Sequence, residues 1–194
     1  MTNAPVPFIL ASASPRRLAL LKTIGITPDE IIPANIDETP QKNELPHLYA
    51  KRIASEKAHV VAATHPDAII LAADTVVACG KRILPKAEDA QTARQCLKLL
   101  SGKRHRVYTA VALVHANKMR EHTTMTMVQI SRLQAQEFEH YMQSKEWEGK
   151  AGGYAIQGLA ESFIPRINGS YSNVVGLPLE KTKHMLAQAG IKSW

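Results

Sequence analysis

Ser12-Ala13-Ser14-Pro15-Arg16-Arg17 gathers hydroxyls and guanidinium groups into one short stretch. It follows the apolar run Phe8 to Ala11, which reads as a buried strand. It precedes Leu18-Ala19-Leu20-Leu21, which reads as the start of a helix. Ser14 suits the N-cap, and Pro15 suits the first helical position, where its missing N–H would be unpaired anyway. Arginines in a first turn oppose the partial positive charge of a helix N-terminus. An anion at that turn would reconcile them, because N–H groups, hydroxyls and guanidinium groups would converge on it. Arginines that point into water are the plainer alternative.

A second set of residues completes a chemistry. Asp74 follows the apolar run Ala68-Ile69-Ile70-Leu71-Ala72-Ala73. A carboxylate there is a capping or turn residue, a metal ligand or a base, and position alone favours the turn. Glu38 sits in a loop that ends at Pro40. The two carboxylates together suit a divalent ion held through oxygen, with waters and phosphates completing the shell. Lys57 and Lys86 add cations, although each lysine taken singly suits a solvated surface. The combination fits phosphate-bond cleavage, which needs an in-line water, a base or metal to activate it, and cations to bear charge on the leaving oxygens. No G-x-S-x-G elbow, Walker A pattern or G-x-G-x-x-G stretch competes with it. The histidines are scattered, and His105 has no evident acid partner.

These residues need elements to place them. Gly25 suits the end of the first helix, and Ile31-Ile32 up to Thr39 reads as a strand running into the Glu38 loop. The apolar spacing Tyr49, Ile53, Lys57/Ala58, Val61 predicts a helix from Pro46 to about Thr64. The Ala68–Ala73 run predicts an interior strand ending at Asp74-Thr75, with Val76 to Ala78 as a continuation and Gly80 as a turn. A helix is expected from Ala87 to Leu100, stopped by Ser101-Gly102, with Ala90, Ala93, Leu97 and Leu100 on one face. Arg106–His115 and Met119–Ile130 predict a hairpin. Further expectations are a helix over Gln134–Met142, a glycine-rich loop over Glu148–Gly158 carrying Lys150, Tyr154 and Gln157, a strand over Glu161–Ile167, a turn at Asn168-Gly169-Ser170, and a last helix from Pro178 to Gly190. Alternating strands and helices with a central hairpin imply an α/β fold with a mixed sheet. Ligands gather beyond strand ends in such sheets, which would make Ser12 and Asp74 neighbours.

The chain has 194 residues, 45% hydrophobic and 21% charged, which suits a single domain over 1–194 with a sizeable core. The net charge of +7 favours polyanionic partners. The charge is spread rather than clustered, and aromatics are only 5%, which weakens a nucleic-acid reading. Cys79 and Cys96 lack zinc-type spacing, and Cys96 falls on an apolar helical stripe. No segment reads as a signal peptide or a membrane span, so a reducing cytoplasm is the expected location.

The residues resemble the Maf family of nucleoside triphosphate pyrophosphatases. The similar segments are Leu10 to Arg17, Asp37-Glu38-Thr39, Glu56-Lys57-Ala58, Ala73-Asp74-Thr75-Val76-Val77, Leu84-Pro85-Lys86, Leu100-Ser101-Gly102 with Val107-Tyr108-Thr109, Lys150 to Gly158, and Gly169-Ser170-Tyr171 with Asn173 to Pro178. The resemblance implies a mixed twisted sheet flanked by helices, two lobes and a central cleft, similar to the inosine triphosphate pyrophosphatase fold. It implies hydrolysis of a nucleoside triphosphate to the monophosphate and pyrophosphate with Mg²⁺ or Mn²⁺. Asp74 takes the place of the family's proposed proton acceptor, with Glu38 near the metal. Ser12, Arg16, Arg17, Lys57 and Lys86 take the places of phosphate contacts. Arg16, Thr75 and Gln157 match the members acting on dTTP and UTP. The 7-methyl-GTP branch has Trp, Gln and Glu at these places. A neutral Gln157 amide can pair with a pyrimidine edge, whereas a carboxylate favours a cationic methylated guanine. Ala87 stands where the family commonly has proline, and Lys103-Arg104 is more basic than usual. House-cleaning of nucleotide pools, a link to cell-division arrest and a homodimer also follow from the resemblance. The rival readings are another base preference, such as 7-methyl-GTP, and a nucleic-acid-binding or septum-regulating protein that keeps only the fold.

Overall fold

Strand β3 (Ile69–Cys79) organises the sheet. It belongs to a computed structural model that describes residues 6–192, so the ends of the expected 1–194 domain lie outside the described residues. One edge of β3 pairs antiparallel with β6 (Arg104–His115), from Ile70 opposite Val114 to Ala78 opposite Arg106. The other edge has two partners in succession. β1 (Phe8–Leu10) runs parallel to residues 69–71, and β4 (Arg82–Leu84) runs antiparallel to Val77–Cys79. Between these partners that edge carries no strand, and Asp74 and Thr75 lie in the gap. The full seven-stranded order is β2-β1-β3-β6-β7-β9 with β4 beside β3, where β2 is Glu30–Ile31, β7 is Lys118–Gln129 and β9 is Arg166–Asn168.

Both faces of the sheet are covered, which is why β3 is apolar on both sides. On one face, α2 (Pro46–Thr64) packs Ile53, Ala54 and Ala58 against Ile70, Ala72, Val76, Ala110 and Ala112. The small side chains on both surfaces let helix and sheet approach closely. On the other face lies the larger core. There Leu71, Ala73, Val77, Val107 and Val111 meet Leu21 of α1 (Pro15–Thr23), Leu97 of α3 (Ala90–Leu100), Tyr141 of α4 (Ala135–Ser144) and Leu186 of α6 (Leu179–Gln188). A separate two-stranded ribbon pairs β5 (Lys86–Ala87) with β8 (Lys150–Ala151). Among the described residues no helix is long and apolar enough to cross a membrane.

The mixed α/β sheet, the Pro46–Thr64 helix and the long hairpin match the sequence reading, and several boundaries differ. The hairpin turns on Ala116 and Asn117, both at positive φ (49° and 58°), as its tight connection requires. Asp74 lies in the middle of β3 rather than at its end. Lys86-Ala87 is a strand, and the following helix starts only at Ala90, because Asp89 caps it by accepting the Thr92 N–H. Ala90 is exposed, and Cys96 takes its expected place on the buried face. Glu161–Ile167 is not one strand: a 3₁₀ turn over Leu159–Phe163 precedes β9. The strand expected from Ile31 is only Glu30–Ile31, and the short helix α5 (Tyr171–Val175) was not anticipated. Ser14 is the N-cap of α1, but its side chain makes no capping bond; the Ser14 N–H instead donates to Ser12 Oγ.

Candidate active site

Asp74 and Thr75 are adjacent in an extended strand, so their side chains leave opposite faces of the sheet. Asp74 joins the parity of Ile70, Ala72 and Val76 and faces α2. Thr75 joins that of Leu71, Ala73 and Val77 and faces α1. The gap in β3 pairing lets one cleft of about 740 Å³ reach both. Every residue singled out from the sequence lines this cleft: Ser12, Arg16, Arg17, Glu38, Lys57, Asp74, Thr75, Lys86 and Gln157.

On the α2 face the cluster is ionic. Lys57 is only 7% exposed because it occupies the buried stripe of α2 between Ile53 and Val61. Its Nζ lies 2.9 Å from Asp74 Oδ1 and 2.8 Å from Glu38 Oε1. Lys86, projecting from β5, places its Nζ 2.8 Å from Glu38 Oε2. The Tyr49 hydroxyl of α2 donates to the Glu38 carbonyl at 2.6 Å and ties the Glu38 loop to the helix. Burial alone would raise the Glu38 pKa; the hydrogen bonds from Lys57 and Lys86 overcome it and hold the carboxyl at about 2. Asp74 is 5% exposed, and its Oδ2 accepts no hydrogen bond from the described residues.

On the opposite face an arginine is held by neutral acceptors. Arg17 donates from Nε to the Gly176 carbonyl at 2.9 Å, from one terminal nitrogen to Ser12 Oγ at 2.9 Å, and from the other to Thr75 Oγ1 at 3.1 Å. No carboxylate forms an ion pair with it among the described residues. Burial pushes its pKa down, opposed by the nearby charge of Asp74. Gly176 has φ +131°, and a Cβ there would sit 3.4 Å from Thr75 Oγ1 and 3.7 Å from Arg17 Nε, so only glycine brings its carbonyl to the guanidinium without strain. Arg16 is half-buried, its Nε has no hydrogen-bond partner among the described residues, and burial lowers its pKa.

The facing wall is the glycine-rich segment over residues 146–158. Gly152, at φ +68°, lies so close to β3 that a Cβ would be 2.8 Å from a Val77 methyl. Tyr154 fixes the segment from below through its hydroxyl, 2.7 Å from His105 Nε2, and burial pushes His105 down to about 4. Gln157 is exposed to the cleft. Sequence reasoning gave Lys150 no role, yet it lines the cleft, and burial and the charge of Arg16 lower its pKa. Its placement depends on β8 pairing with β5, which puts Lys150 opposite Ala87. Thr109, Asn173 and Gly176, which surround the Arg17 site, were also missed as site residues.

The donor set suits a divalent ion of a particular kind. Glu38 and Asp74 converge on one ammonium group, and among the described residues no cluster of three or more His, Cys, Asp or Glu side chains exists. The protein alone therefore under-coordinates an ion. One or two carboxylates with substrate phosphates and water are the usual shell for Mg²⁺.

The sequence profile described as "Maf-like protein" matches residues 7–189. The chain belongs to the Maf family. It is 54% identical over 192 residues to the dTTP/UTP pyrophosphatase of Rhodospirillum rubrum, covering 98% of this chain and 91% of that protein. It is 59% identical over 186 residues to the dTTP/UTP pyrophosphatase of Zymomonas mobilis, covering 94% and 91%. The structure of a HAM1 protein from Coxiella burnetii superposes with a TM-score of 0.53 at 15% identity, over 94% of this chain and 99% of that one. That likeness bears out the expected inosine triphosphate pyrophosphatase-like fold for this Maf-family chain.

Proposed function

We propose that this Maf-family protein hydrolyses dTTP and UTP to the monophosphate and pyrophosphate with a divalent cation. The observation that carries the reading is the convergence of an ionic cluster and an arginine cradle on one cleft through the gap in β3. Its similarity to dTTP/UTP pyrophosphatases supports the choice of nucleotide. Water attacks the α-phosphorus, the α–β anhydride breaks, and pyrophosphate leaves with the bond's electron pair. Asp74 takes the water's proton on Oδ2, the oxygen that Lys57 leaves free. Arg17, Arg16, Lys57 and Lys86 bear the charge of the phosphoryl oxygens, and Ser12 keeps Arg17 in place. A Mg²⁺ or Mn²⁺ ion, held by Glu38 and Asp74 when bound, supplies further neutralisation of that charge and a more acidic water. Gln157 reads the base edge through its amide. The reading includes a cytoplasmic location, a role in cleaning nucleotide pools and a homodimer, which sedimentation tests.

The decisive experiment measures pyrophosphate release from dTTP, UTP, the other canonical triphosphates and 7-methyl-GTP, with Mg²⁺, Mn²⁺ or chelator. Pyrophosphate from dTTP and UTP, abolished by chelator, is expected. Orthophosphate as the product, or a preference for 7-methyl-GTP, overturns the reading. Gln157→Glu should shift relative rates toward 7-methyl-GTP; unchanged base preference removes Gln157 from the pocket. Salt-sensitive retention on DNA without pyrophosphate release would favour the nucleic-acid rival.

A further inference from the structure

Thr75 is itself held from behind. Its hydroxyl lies 3.0 Å from Thr109 Oγ1, and Thr109 Oγ1 donates to the Asn173 carbonyl at 2.8 Å. A threonine hydroxyl has one hydrogen. Thr109 gives its hydrogen to Asn173, so between the two threonines Thr75 donates and Thr109 accepts. Arg17 has no acceptor, so it donates to the Thr75 lone pairs, which the bond to Thr109 orients. The donor direction is thus fixed along the whole chain, from Arg17 through Thr75 and Thr109 to the Asn173 carbonyl. Thr109 and Asn173 are both fully buried.

The far end is anchored as firmly. Asn173 Nδ2 donates to the Val107 carbonyl at 3.1 Å and to Thr126 Oγ1 at 3.0 Å, which binds α5 to the sheet. The same short helix leads into Gly176, whose carbonyl receives Arg17 Nε. One anchored segment therefore sets two of the three points that hold the guanidinium: Gly176 directly, and Thr75 through Thr109. Arg17 has five N–H groups and uses three on Gly176, Ser12 and Thr75, which leaves one hydrogen on each terminal nitrogen for an anion.

We infer that Thr109, seated on the Asn173 carbonyl, is a positioning residue for Arg17. It accepts the Thr75 hydroxyl hydrogen, which turns the Thr75 lone pairs to Arg17 and fixes the guanidinium with its remaining N–H groups toward the triphosphate. The inference rests on the phosphate-binding role proposed for Arg17.

The test is a double-mutant cycle of Thr109→Val with Arg17→Ala, read as kcat/KM for dTTP. Thr109→Val alone lowers kcat/KM by about tenfold, the size of a misplaced charge-assisted hydrogen bond. In the Arg17→Ala background it should lower it by less than about twofold, because its target is gone. Full additivity overturns the inference and assigns Thr109 a merely structural role. The resonance of the Arg17 terminal N–H that donates to Thr75 gives a readout independent of activity. It should be sharp and protected from exchange in the wild type, lose protection in Thr109→Val, and regain it in Thr109→Ser, which keeps the hydroxyl and the fold. Protection unchanged in Thr109→Val also overturns the inference. A wild type that releases no pyrophosphate from any triphosphate sinks the functional reading, while the resonance still decides whether Thr109 positions Arg17.

Discussion

The two faces of β3 solve the same electrostatic problem in opposite ways. On the α2 face, cations and carboxylates neutralise one another: Lys57 holds Asp74 and Glu38, and Lys86 holds Glu38 again. On the other face, Arg17 is gripped only by hydroxyls and a carbonyl. Its charge is therefore oriented but left uncompensated by a direct ion pair. The first arrangement is a set of exchangeable partners, since an arriving metal or phosphate can replace a lysine–carboxylate contact with another ionic contact. The second is a preorganised cation that, among the described residues, has no ion-paired carboxylate to give up. Preorganised charge costs no reorganisation when anionic charge develops beside it, so the Arg17 side should dominate phosphate binding and the α2 side the proton and metal chemistry.

Breaking the α2 side at its acid should have the largest effect. Asp74→Asn keeps the shape of the side chain and removes the proton acceptor. It should lower kcat for pyrophosphate release by about 100- to 1,000-fold. Activity within about threefold of wild type would take Asp74 out of the mechanism. Arg17→Lys breaks the other side more gently. The charge survives, but a lysine cannot reach Gly176, Ser12 and Thr75 together with one planar fork. The expected loss is roughly 10- to 100-fold in kcat/KM, the worth of a charge-assisted hydrogen-bond set. If Arg17→Lys were silent and Asp74→Asn severe, the cradle would be a structural device.

The contrast between the faces was only half legible in the sequence. The residue types were plain, and the place of Lys57 on the apolar stripe of α2 could be read from its spacing with Tyr49, Ile53 and Val61. Asp74 was misplaced because β3 is apolar on both faces, so its first polar residue looked like an end. What lets Asp74 and Thr75 open to the cleft is the handover from β1 to β4 on one edge, a tertiary fact with no local signal. The Arg17 site was hidden for a similar reason. Thr75 is 58 residues from Arg17, and the Asn173 carbonyl is 64 residues from Thr109. The two-residue strands that place Lys86 and Lys150 are too short to carry any periodicity.

The exchangeable character of the α2 cluster can be tested without turnover. Lys57 now occupies one oxygen of each carboxylate, Glu38 Oε1 and Asp74 Oδ1, where an ion would compete with it. In Lys57→Met those oxygens lose their competing cation, and two converging carboxylates remain. Mn²⁺ binding to the nucleotide-free protein, followed by electron paramagnetic resonance, should tighten by about tenfold, the scale of one partly screened charge at contact distance. Equal Mn²⁺ affinity in wild type and variant would mean that Lys57 does not guard the site. Arg17→Lys, on the other face, should leave nucleotide-free Mn²⁺ binding unchanged.

The smallest effect is on folding, and its sign follows from Glu38. The carboxyl sits at about 2 in the folded chain against an ordinary value of 4.5. Above pH 4.5 it is ionised in both states, and its ion pairs contribute fully to stability. As pH falls from 4.5 to 2 the unfolded chain takes up a proton that the folded chain refuses, and that contribution is lost. Taken whole, such a gap is worth about 3 kcal/mol, but Glu38 is half-buried and partly screened by water, which reduces it to about 1 kcal/mol. Urea denaturation of wild type and Glu38→Gln should differ by that amount at pH 6. The difference should shrink through the window from 4.5 to 2, because the glutamine cannot titrate. A difference that stays constant with pH would mean that the glutamine disturbs packing rather than charge, and that the lysines on the α2 face do not depend on Glu38 for their place.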